Sequence, residues 1–247
     1  MTFKQSVQAI FRAMGYNISK VPPEPKGIYD WIRSDYSTYS PWIGDKCFKD
    51  LYKQIEFYTM VDIYRLYELW TLVPEIKHIV GDVIEVGSWK GGSSGLLAHQ
   101  IYRYAPGKTL HICDTFTGVV KCTNKDANYK DGQHNNASAK EVRDLLENKL
   151  GLYNYQIYEG TFPEDMYLKF HKEKFSLIHI DVDIHDSTKD CMDYLWPRLS
   201  VGGIVVYDDY GYHGTPGISS YVNSQRLMDD RLVIHNLNGH AIVVKLK

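Results

Sequence analysis

The sequence contains little cysteine and no long apolar run. Its four cysteines, among 247 residues, are scattered, with no CxxC pair and no dense framework of the kind that small secreted domains need, so we expect reduced thiols. No apolar run reaches the roughly 20 residues that span a bilayer, and Lys4, Gln5 and Arg12 interrupt the first apolar segment, unlike a signal peptide. These absences predict a cytoplasmic protein without a membrane partner.

An excess of charge of one sign is also absent. The chain carries 28 basic and 30 acidic residues, for a formal net charge of −2. No global field therefore attracts nucleic acid, and a small or neutral partner is favoured. The apolar share of 44% and the charged share of 23% are those of an ordinary globular protein, and the length suits one sizeable α/β domain.

Two phosphate-binding motifs are missing. The sequence has neither the GxGxxG fingerprint of dinucleotide binding nor a GxxxxGK[ST] loop that would hold a triphosphate, which argues against a nicotinamide dehydrogenase. What it does have, at residues 82–94, is DVIEVGSWKGGSS, an apolar strand that ends in an acid and a glycine and then opens a helix. Glycine permits tight turns and a close approach of the backbone to a ligand. A nucleoside without phosphates fits this loop best.

Short β-rich runs alternate with helical patterns after residue 81, which predicts βαβ units around a buried parallel sheet. Apolar residues at helical spacing predict a helix over residues 61–76. The C-terminal run RLVIHNLNGHAIVVKLK predicts two strands that turn at Asn238 and Gly239. We therefore expect an α/β, Rossmann-like, doubly wound and mostly parallel sheet over residues 81–247, with a C-terminal antiparallel hairpin, and an N-terminal helical cap over residues 1–80 of the same domain.

Carboxylates end the first two predicted strands. Glu85 can offset the positive charge of a sulfonium ligand, and Asp114 can accept hydrogen bonds from ribose hydroxyls in the crevice at the carboxyl ends of the strands. The alternatives are a tight βα connection without a ligand and, for Asp114, a helix N-cap or turn residue. The glycine turn and the two acids together favour the ligand site.

Two pairs of aspartates follow two later strands. Asp181 and Asp183 end IHIDVD, and Asp208 and Asp209 end VVYDD. If these strands are parallel neighbours, the carboxylates converge and require a cation or shared protons. The pattern predicts a site for Mg²⁺ or another divalent ion that would activate a hydroxyl. The alternatives are solvated loop residues and helix caps, or the metal site of a hydrolase or phosphatase.

Histidines near these aspartates supply candidate bases. His185, in the loop after Asp181, and His213, in the loop after the second pair, can act as general bases because imidazole titrates near neutral pH. The alternative is that both are exposed or hydrogen-bonded bystanders. His179, within the strand, is expected only to pack.

The order of these motifs resembles a known family. From residue 58 to the C-terminus the chain contains YTMVDIYRLYEL, DVIEVGSWKGGSS, DTFTG, IDVDIHDSTKD, WPRLSVGGIVVYDDYG and GTPGI, and in this combination it resembles the macrocin O-methyltransferase family. The resemblance implies a metal-dependent enzyme that methylates hydroxyls of sugars and related groups with S-adenosylmethionine. It also implies a glycosylated small-molecule acceptor and a homo-oligomer.

The resemblance assigns roles to individual residues. It implies Asp181, Asp208 and Asp209 as metal ligands, and Asp181 as the catalytic base, although His185 stands where many relatives carry tyrosine and remains the other candidate. Asp183 is expected to approach the amino group of the donor. The remaining implied donor-binding residues are Thr59, Met60, Glu85, Val86, Gly87, Ser88, Gly91, Ser93, Asp114 and Thr115.

The sequence leaves the acceptor and the N-terminal segment open. The first 55 residues match no pattern, and their aromatic residues are expected either to pack in a helical cap or to stack on the acceptor: Trp31, Tyr36, Tyr39 and Trp42. The leading hypothesis is an Mg²⁺-dependent, S-adenosylmethionine-dependent O-methyltransferase. The alternatives are a metal-dependent hydrolase and a non-catalytic binding module on the same fold.

Overall fold

The computed structural model describes residues 39–247 except 125 and 127, together with Val7, Ile10, Phe11, Ala13 and Met14. By its internal contacts the chain divides into two units, Met1–Tyr39 and Ser40–Lys247, and the second unit contains the sheet. Trp31 and Tyr36, two of the aromatic residues considered for the acceptor, lie outside the described residues.

A seven-stranded sheet forms the centre of the second unit, in the order β3-β2-β1-β4-β5-β7-β6. Strands β1 to β5 are parallel, and β7 pairs antiparallel with both β5 and β6. The strands are β1 (Asp82–Val86), β2 (Leu110–Asp114), β3 (Tyr155–Glu159), β4 (Phe175–Ile180), β5 (Leu199–Tyr207), β6 (Arg231–His235) and β7 (Ala241–Lys245). The predicted fold class, including the C-terminal antiparallel hairpin, is confirmed.

Six helices surround this sheet in the described part of the second unit. The second begins where Asp62 accepts hydrogen bonds from the backbone N–H groups of Tyr64 and Arg65, a normal N-cap. The helices are α1 (Lys46–Ile55), α2 (Ile63–Glu75), α3 (Gly92–Tyr104), α4 (Ala139–Arg143, continued by a π-helical segment, Asp144–Lys149), α5 (His185–Leu195) and α6 (Pro216–Gln225). The helix predicted over residues 61–76 is α2.

The core lies in two layers, one on each face of the sheet. Alternate residues of β1 point to opposite faces, so Val83 packs with α1, α2 and α3, while Ile84 and Val86 pack with the layer that contains α5 and α6. The indole of Trp70 in α2 donates to Asp45 at the start of α1 (2.9 Å). Residues 40–80 therefore belong to the same compact unit as the sheet, and the predicted role of residues 1–39 as part of a cap stays a prediction.

The topology places the ends of four parallel strands beside one another. Because β1 lies between β2 and β4, and β5 follows β4, the carboxyl ends of β2, β1, β4 and β5 form one edge of the sheet. In open α/β sheets, ligands bind in the crevice at this edge. None of the helices in the described residues is both long and apolar enough to cross a membrane.

Candidate functional site

The glycine-rich loop between β1 and α3 is fixed by steric contacts. Gly87 has a φ of 88°, and a Cβ atom placed there would lie 1.7 Å from the carbonyl oxygen of Asp181. Gly91, the N-cap of α3, is left-handed with a φ of 84°, and a Cβ atom there would press on Val142 at 2.9 Å. Only glycine satisfies both positions, so this loop lies directly against the end of β4.

Asp114 holds the same loop from the end of β2. Its Oδ2 accepts hydrogen bonds from the backbone N–H groups of Ser88 (2.7 Å) and Trp89 (2.9 Å), and its Oδ1 accepts from that of Phe116 (2.7 Å). The hydroxyl of Thr115 donates to the carbonyl oxygen of Gly118 (2.8 Å). Asp114 therefore shapes the loop in this structure, and the predicted ribose contacts of Asp114 and Thr115 stay predictions.

A segment before α2 lies over the glycine-rich loop. The backbone N–H of Gly92 donates to the carbonyl oxygen of Tyr58 (2.9 Å), and a Cβ atom at Gly92 would lie 2.7 Å from the Cβ of Thr59. Thr59 accepts a hydrogen bond from the N–H of Val61, and the side chain of Met60 is more than half exposed. This places Thr59 and Met60 beside the loop to which the sequence assigned the donor.

Glu85 lies away from the open crevice. Its carboxylate is fully buried, accepts a short hydrogen bond from the hydroxyl of Ser94, and lies 2.9 Å from Nδ1 of His179. Val86 and Ser93 are also buried. Contacts of these residues with a donor stay predictions, and in the structure Glu85 joins β1 to α3 and β4.

Three aspartates converge at the ends of β4 and β5. Because Ile180 and Tyr207 are paired in register, Asp181 and Asp208 follow directly at the same edge of the sheet. Each of Asp181, Asp208 and Asp209 offers a carboxylate oxygen, and these oxygens lie within 4.8 Å of one another. The backbone N–H of Asp181 donates to the carbonyl oxygen of Val86 (2.9 Å), which ties this acid cluster to the glycine-rich loop.

The acid cluster is electrostatically strained. Burial raises the pKa of Asp181, and the charges of Asp208, Asp209 and Asp183 raise it further. Burial and the charges of Asp208 and Asp183 raise the pKa of Asp209 to about 8. Burial also opposes ionisation of Asp208, but His240 and Arg65 outweigh it and lower the pKa of this carboxyl. Carboxylates so arranged require protons or a cation.

Arg65 supplies positive charge in this structure, and the sequence analysis did not find it. Its Nη1 lies 2.6 Å from Oδ1 of Asp208 and 3.2 Å from Oδ1 of Asp209, and its Nε lies 3.0 Å from Asp62. Arg65 is in α2, 143 residues from Asp208. A cation on a helix rich in apolar residues was the available signal, but nothing in the sequence indicated which strand end it would reach.

Two buried histidines flank Asp208, and the expectation that His179 only packs is wrong. His179 is fully buried and its Nδ1 faces Glu85, because a polar ring inside the sheet layer needs a partner. His240 lies just before β7, with its Nδ1 2.8 Å from Glu68 and its Nε2 3.0 Å from Asp208. Burial lowers the pKa of His240, but Asp208 and Glu68 outweigh it and raise that pKa. The sequence analysis missed His240 and Glu68.

The remaining predicted residues lie around the acid cluster. Asp183 has a φ of 65°. Burial raises the pKa of its carboxyl, although Tyr129 and Asp209 oppose that rise. Its approach to a donor amino group stays a prediction. His185 begins α5, with its Nδ1 2.6 Å from Oδ1 of Asp186 and its backbone N–H bonded to Asp126 (2.9 Å). Its role as a base also stays a prediction.

His213, the other candidate base, follows the second aspartate pair. Its ring packs edge-on against that of Tyr212, with ring centroids 4.5 Å apart. This contact assigns it no catalytic role.

Comparison with known proteins identifies the family. The family model described as "Macrocin-O-methyltransferase (TylF)" matches residues 52–237, which is more than half of the chain. The chain belongs to the macrocin O-methyltransferase family. The resemblance that the sequence motifs predicted and the predicted enzyme class, an O-methyltransferase, are both confirmed.

Members of the family with assigned activities are similar over most of this region. The chain is 28% identical over 188 residues to the 8-demethyl-8-(2,3-dimethoxy-alpha-L-rhamnosyl)-tetracenomycin-C 4'-O-methyltransferase of Streptomyces olivaceus, covering 67% of this chain and 71% of the relative. It is 27% identical over 171 residues to the mycinamicin III 3''-O-methyltransferase of Micromonospora griseorubida, covering 62% of this chain and 65% of the relative. The matched segment thus spans about two thirds of each relative.

Solved structures agree with the macrocin O-methyltransferase assignment at the level of the fold. The O-methyltransferase NovP superimposes with a TM-score of 0.66 and 24% identity, covering 77% of this chain and 83% of NovP. The matched part of the chain includes the glycine-rich loop, the acid cluster and Arg65.

Proposed function

We propose that this chain transfers a methyl group from S-adenosylmethionine to a sugar hydroxyl of a glycosylated small molecule, with Mg²⁺ or another divalent ion bound by the acid cluster. The observation that carries the proposal is the contact between the two halves of the site. The glycine-rich loop meets the acid cluster where Gly87 lies against the carbonyl oxygen of Asp181. A donor on that loop and an acceptor hydroxyl at the aspartates would therefore be neighbours.

The residues present fit a hard divalent ion. Three aspartates from two adjacent strands provide only oxygen ligands, which is the donor set that Mg²⁺ prefers. Burial first, and then the negative charges of neighbouring aspartates, raise the pKa values of Asp181 and Asp209. A bound cation would offset the neighbouring charges. When bound, such an ion supplies Lewis-acid chemistry that lowers the pKa of an acceptor hydroxyl. Asp181, Asp208 and Asp209 would hold it.

The loops at this edge fit a nucleoside donor that carries no phosphate groups. In the loop of residues 87–91, Asp114 fixes the backbone through the N–H groups of Ser88 and Trp89. The ammonium of Lys90 lies over the indole ring of Trp89. The segment with Thr59 and Met60 lies beside it. These groups would orient the methyl donor and exclude water, and in-line methyl transfer gains most of its acceleration from such orientation.

Two residues remain candidates to accept the proton of the acceptor hydroxyl. Asp181 lies in the acid cluster itself. His185 begins α5, with its Nδ1 2.6 Å from Oδ1 of Asp186. We propose Asp181 as the acceptor of the proton and His185 as the competing candidate. A His185→Gln variant that keeps its rate would support Asp181.

The acceptor class follows from the relatives. The Streptomyces olivaceus enzyme is named for the 4' position of a rhamnosyl-bearing tetracenomycin, and the Micromonospora griseorubida enzyme for the 3'' position of mycinamicin III. These names favour a sugar hydroxyl of a natural product as the acceptor, over the hydrolase and binding-module alternatives.

The proposal is tested on purified protein and on the variant Asp208→Asn. We expect wild type to bind S-adenosylmethionine in calorimetry and to bind Mn²⁺ as a spectroscopic substitute for Mg²⁺. We also expect it to methylate at least one of a panel of natural-product glycosides. The variant should keep donor affinity but lose Mn²⁺ binding and about a thousandfold in rate, because a metal supplies several kcal/mol of stabilisation and each 1.36 kcal/mol is tenfold.

The matched control is Asp193→Asn, an exposed aspartate of α5 paired with Lys189. It should behave as wild type. Full activity of wild type in excess chelator would contradict the metal role, and a folded wild type that does not bind S-adenosylmethionine would contradict the donor.

A further inference from the structure

A second group of ligand atoms lies behind the acid cluster. His179 in β4, Asp208 after β5 and His240 before β7 each offer one atom, and the three atoms lie within 4.8 Å of one another. The two histidines are 0% exposed and Asp208 is 4% exposed. His179 lies within a strand, and Asp208 and His240 lie directly beside the ends of the two neighbouring strands. The pairing of these strands therefore fixes the positions of the three residues.

Each histidine has a carboxylate on its far nitrogen, and that carboxylate is fully buried at Glu85 and partly buried at Glu68. Nδ1 of His179 lies 2.9 Å from Oε1 of Glu85, and Nδ1 of His240 lies 2.8 Å from Oε2 of Glu68. A carboxylate at Nδ1 favours the tautomer that carries the proton there and leaves a lone pair on Nε2. Histidines that bind metals have this carboxylate partner on the other ring nitrogen.

Neither Nε2 atom makes an ordinary hydrogen bond among the described residues. Nε2 of His179 is buried and has no hydrogen-bond partner among the residues that the structure describes. Nε2 of His240 is 3.0 Å from Oδ1 of Asp208, yet the angle is not that of a hydrogen bond. Two ligands at about 2.1 Å from one tetrahedrally coordinated ion lie about 3.4 Å apart. The 3.0 Å between Nε2 of His240 and Oδ1 of Asp208 is a few tenths of an ångström shorter, so a small shift would let both atoms bind one ion.

The net charge around the two histidines also favours the binding of a cation. Glu85, Glu68 and Asp208 contribute three carboxylates around the two imidazoles, whereas Arg65 contributes one guanidinium. With neutral imidazoles the group carries an excess of negative charge, which is costly for buried groups. One divalent ion or two added protons would balance it.

We propose that His179, His240 and Asp208 form a second metal site, for a borderline transition-metal ion such as Zn²⁺. Two imidazole nitrogens and one carboxylate favour this class over Mg²⁺, which prefers oxygen ligands alone. Asp208 is shared with the acid cluster, so the ion would fix one ligand of the Mg²⁺ site and fasten the hairpin to β4 and β5. The site does not depend on methyl transfer, because its binding is measured without donor or acceptor.

The test is a Zn²⁺ titration of purified, chelator-treated protein in excess Mg²⁺, which occupies the acid cluster. We expect one tight Zn²⁺ per chain in wild type. His179→Gln and His240→Gln should each lose this binding, and Glu85→Gln should weaken it by about 10- to 100-fold, as outer-shell changes do. The matched control is His111→Gln, a buried histidine of β2 that faces Asp82 (3.0 Å).

A second measurement uses wild type alone, so it does not depend on whether the variants fold. X-ray absorption at the zinc edge of Zn²⁺-loaded wild type should give scattering from two imidazoles. A folded wild type without a tight Zn²⁺ site, Zn²⁺ binding unchanged in both histidine variants, or a spectrum with oxygen ligands alone would overturn the proposal. The histidines would then be protonated partners of the carboxylates. Loss of S-adenosylmethionine binding would count against the proposed function but not against this site.

Discussion

The two halves of the candidate site are held in place by different forces. At the ends of β1 and β2, the glycine-rich loop is fixed by steric contacts and by hydrogen bonds from backbone N–H groups to Asp114. At the ends of β4 and β5, four aspartates face one guanidinium and two histidines, and their pKa values are displaced in both directions. In the first half the polar groups are paired by hydrogen bonds, whereas in the second half the negative carboxylates are offset by the positive charge of neighbouring side chains.

This difference indicates what each half does. A surface whose own polar groups are already paired offers a preformed shape, which suits recognition of a large donor. A group of carboxylates with unbalanced charge offers binding energy to a cation. The halves meet where Val86 and Gly87 lie against Asp181, so substitutions can be chosen that disturb one half, the other, or their junction.

The junction should be the most sensitive position. Gly87→Ala would place a Cβ atom 1.7 Å from the carbonyl oxygen of Asp181 at a φ of 88°. The atoms that this Cβ would meet belong to the backbone of Asp181 and cannot turn aside as a flexible side chain can. We therefore expect a loss of more than about 4 kcal/mol in the free energy of unfolding, a size that few substitutions reach. Denaturant unfolding followed by circular dichroism measures it.

Gly132→Ala is the control for that experiment. Gly132 has a similar φ of 85°, but nothing lies within 4 Å of the added Cβ. It should cost only about 1 to 2 kcal/mol, the price of a left-handed conformation. Equal losses at Gly87 and Gly132 would mean that the contact between the two halves is not what requires glycine.

Removal of Arg65 should disturb the acidic half alone. Arg65→Gln leaves Asp208 and Asp209 without their guanidinium, and breaking a buried ion pair costs about 3 to 5 kcal/mol. We expect the loss in metal-free protein and a much smaller loss in saturating Mg²⁺, because the ion restores positive charge. Thermal unfolding with and without Mg²⁺ measures both values.

The control for Arg65 is Arg103→Gln, at the exposed end of α3, which should change neither value appreciably. A loss for Arg65→Gln that is the same with and without Mg²⁺ would show that the guanidinium acts through packing rather than as a counter-charge.

The sequence predicted the backbone framework and the acids of the site better than their counter-charges. The βα alternation, the glycine turn and the acids at strand ends are local patterns, so the sheet, the loop and the convergence of Asp181, Asp208 and Asp209 could be anticipated. The hairpin also followed from a local signal at Asn238 and Gly239.

The counter-charges could not be anticipated in the same way. Arg65 and Glu68 lie one turn apart on α2, yet they reach Asp208 and His240, more than 140 residues later. Their positions depend on how α2 packs against the hairpin, which no local pattern encodes. His179 was misjudged for the same reason, because its partner Glu85 comes from another strand.

The smallest effect should come from Asp114, and it tests whether the halves are independent. Asp114→Asn keeps one acceptor but turns an amide group toward a backbone N–H, either at Ser88 and Trp89 or at Phe116. Hydrogen bonds to charged groups contribute about 1.5 to 3 kcal/mol, so we expect S-adenosylmethionine to bind about tenfold more weakly. Mn²⁺ affinity should not change, because no contact joins Asp114 to the aspartates of β4 and β5 among the hydrogen bonds described. Calorimetry with each ligand separates the two outcomes. A parallel fall in Mn²⁺ affinity would mean that the glycine-rich loop also positions Asp181, and that the two halves form one rigid unit.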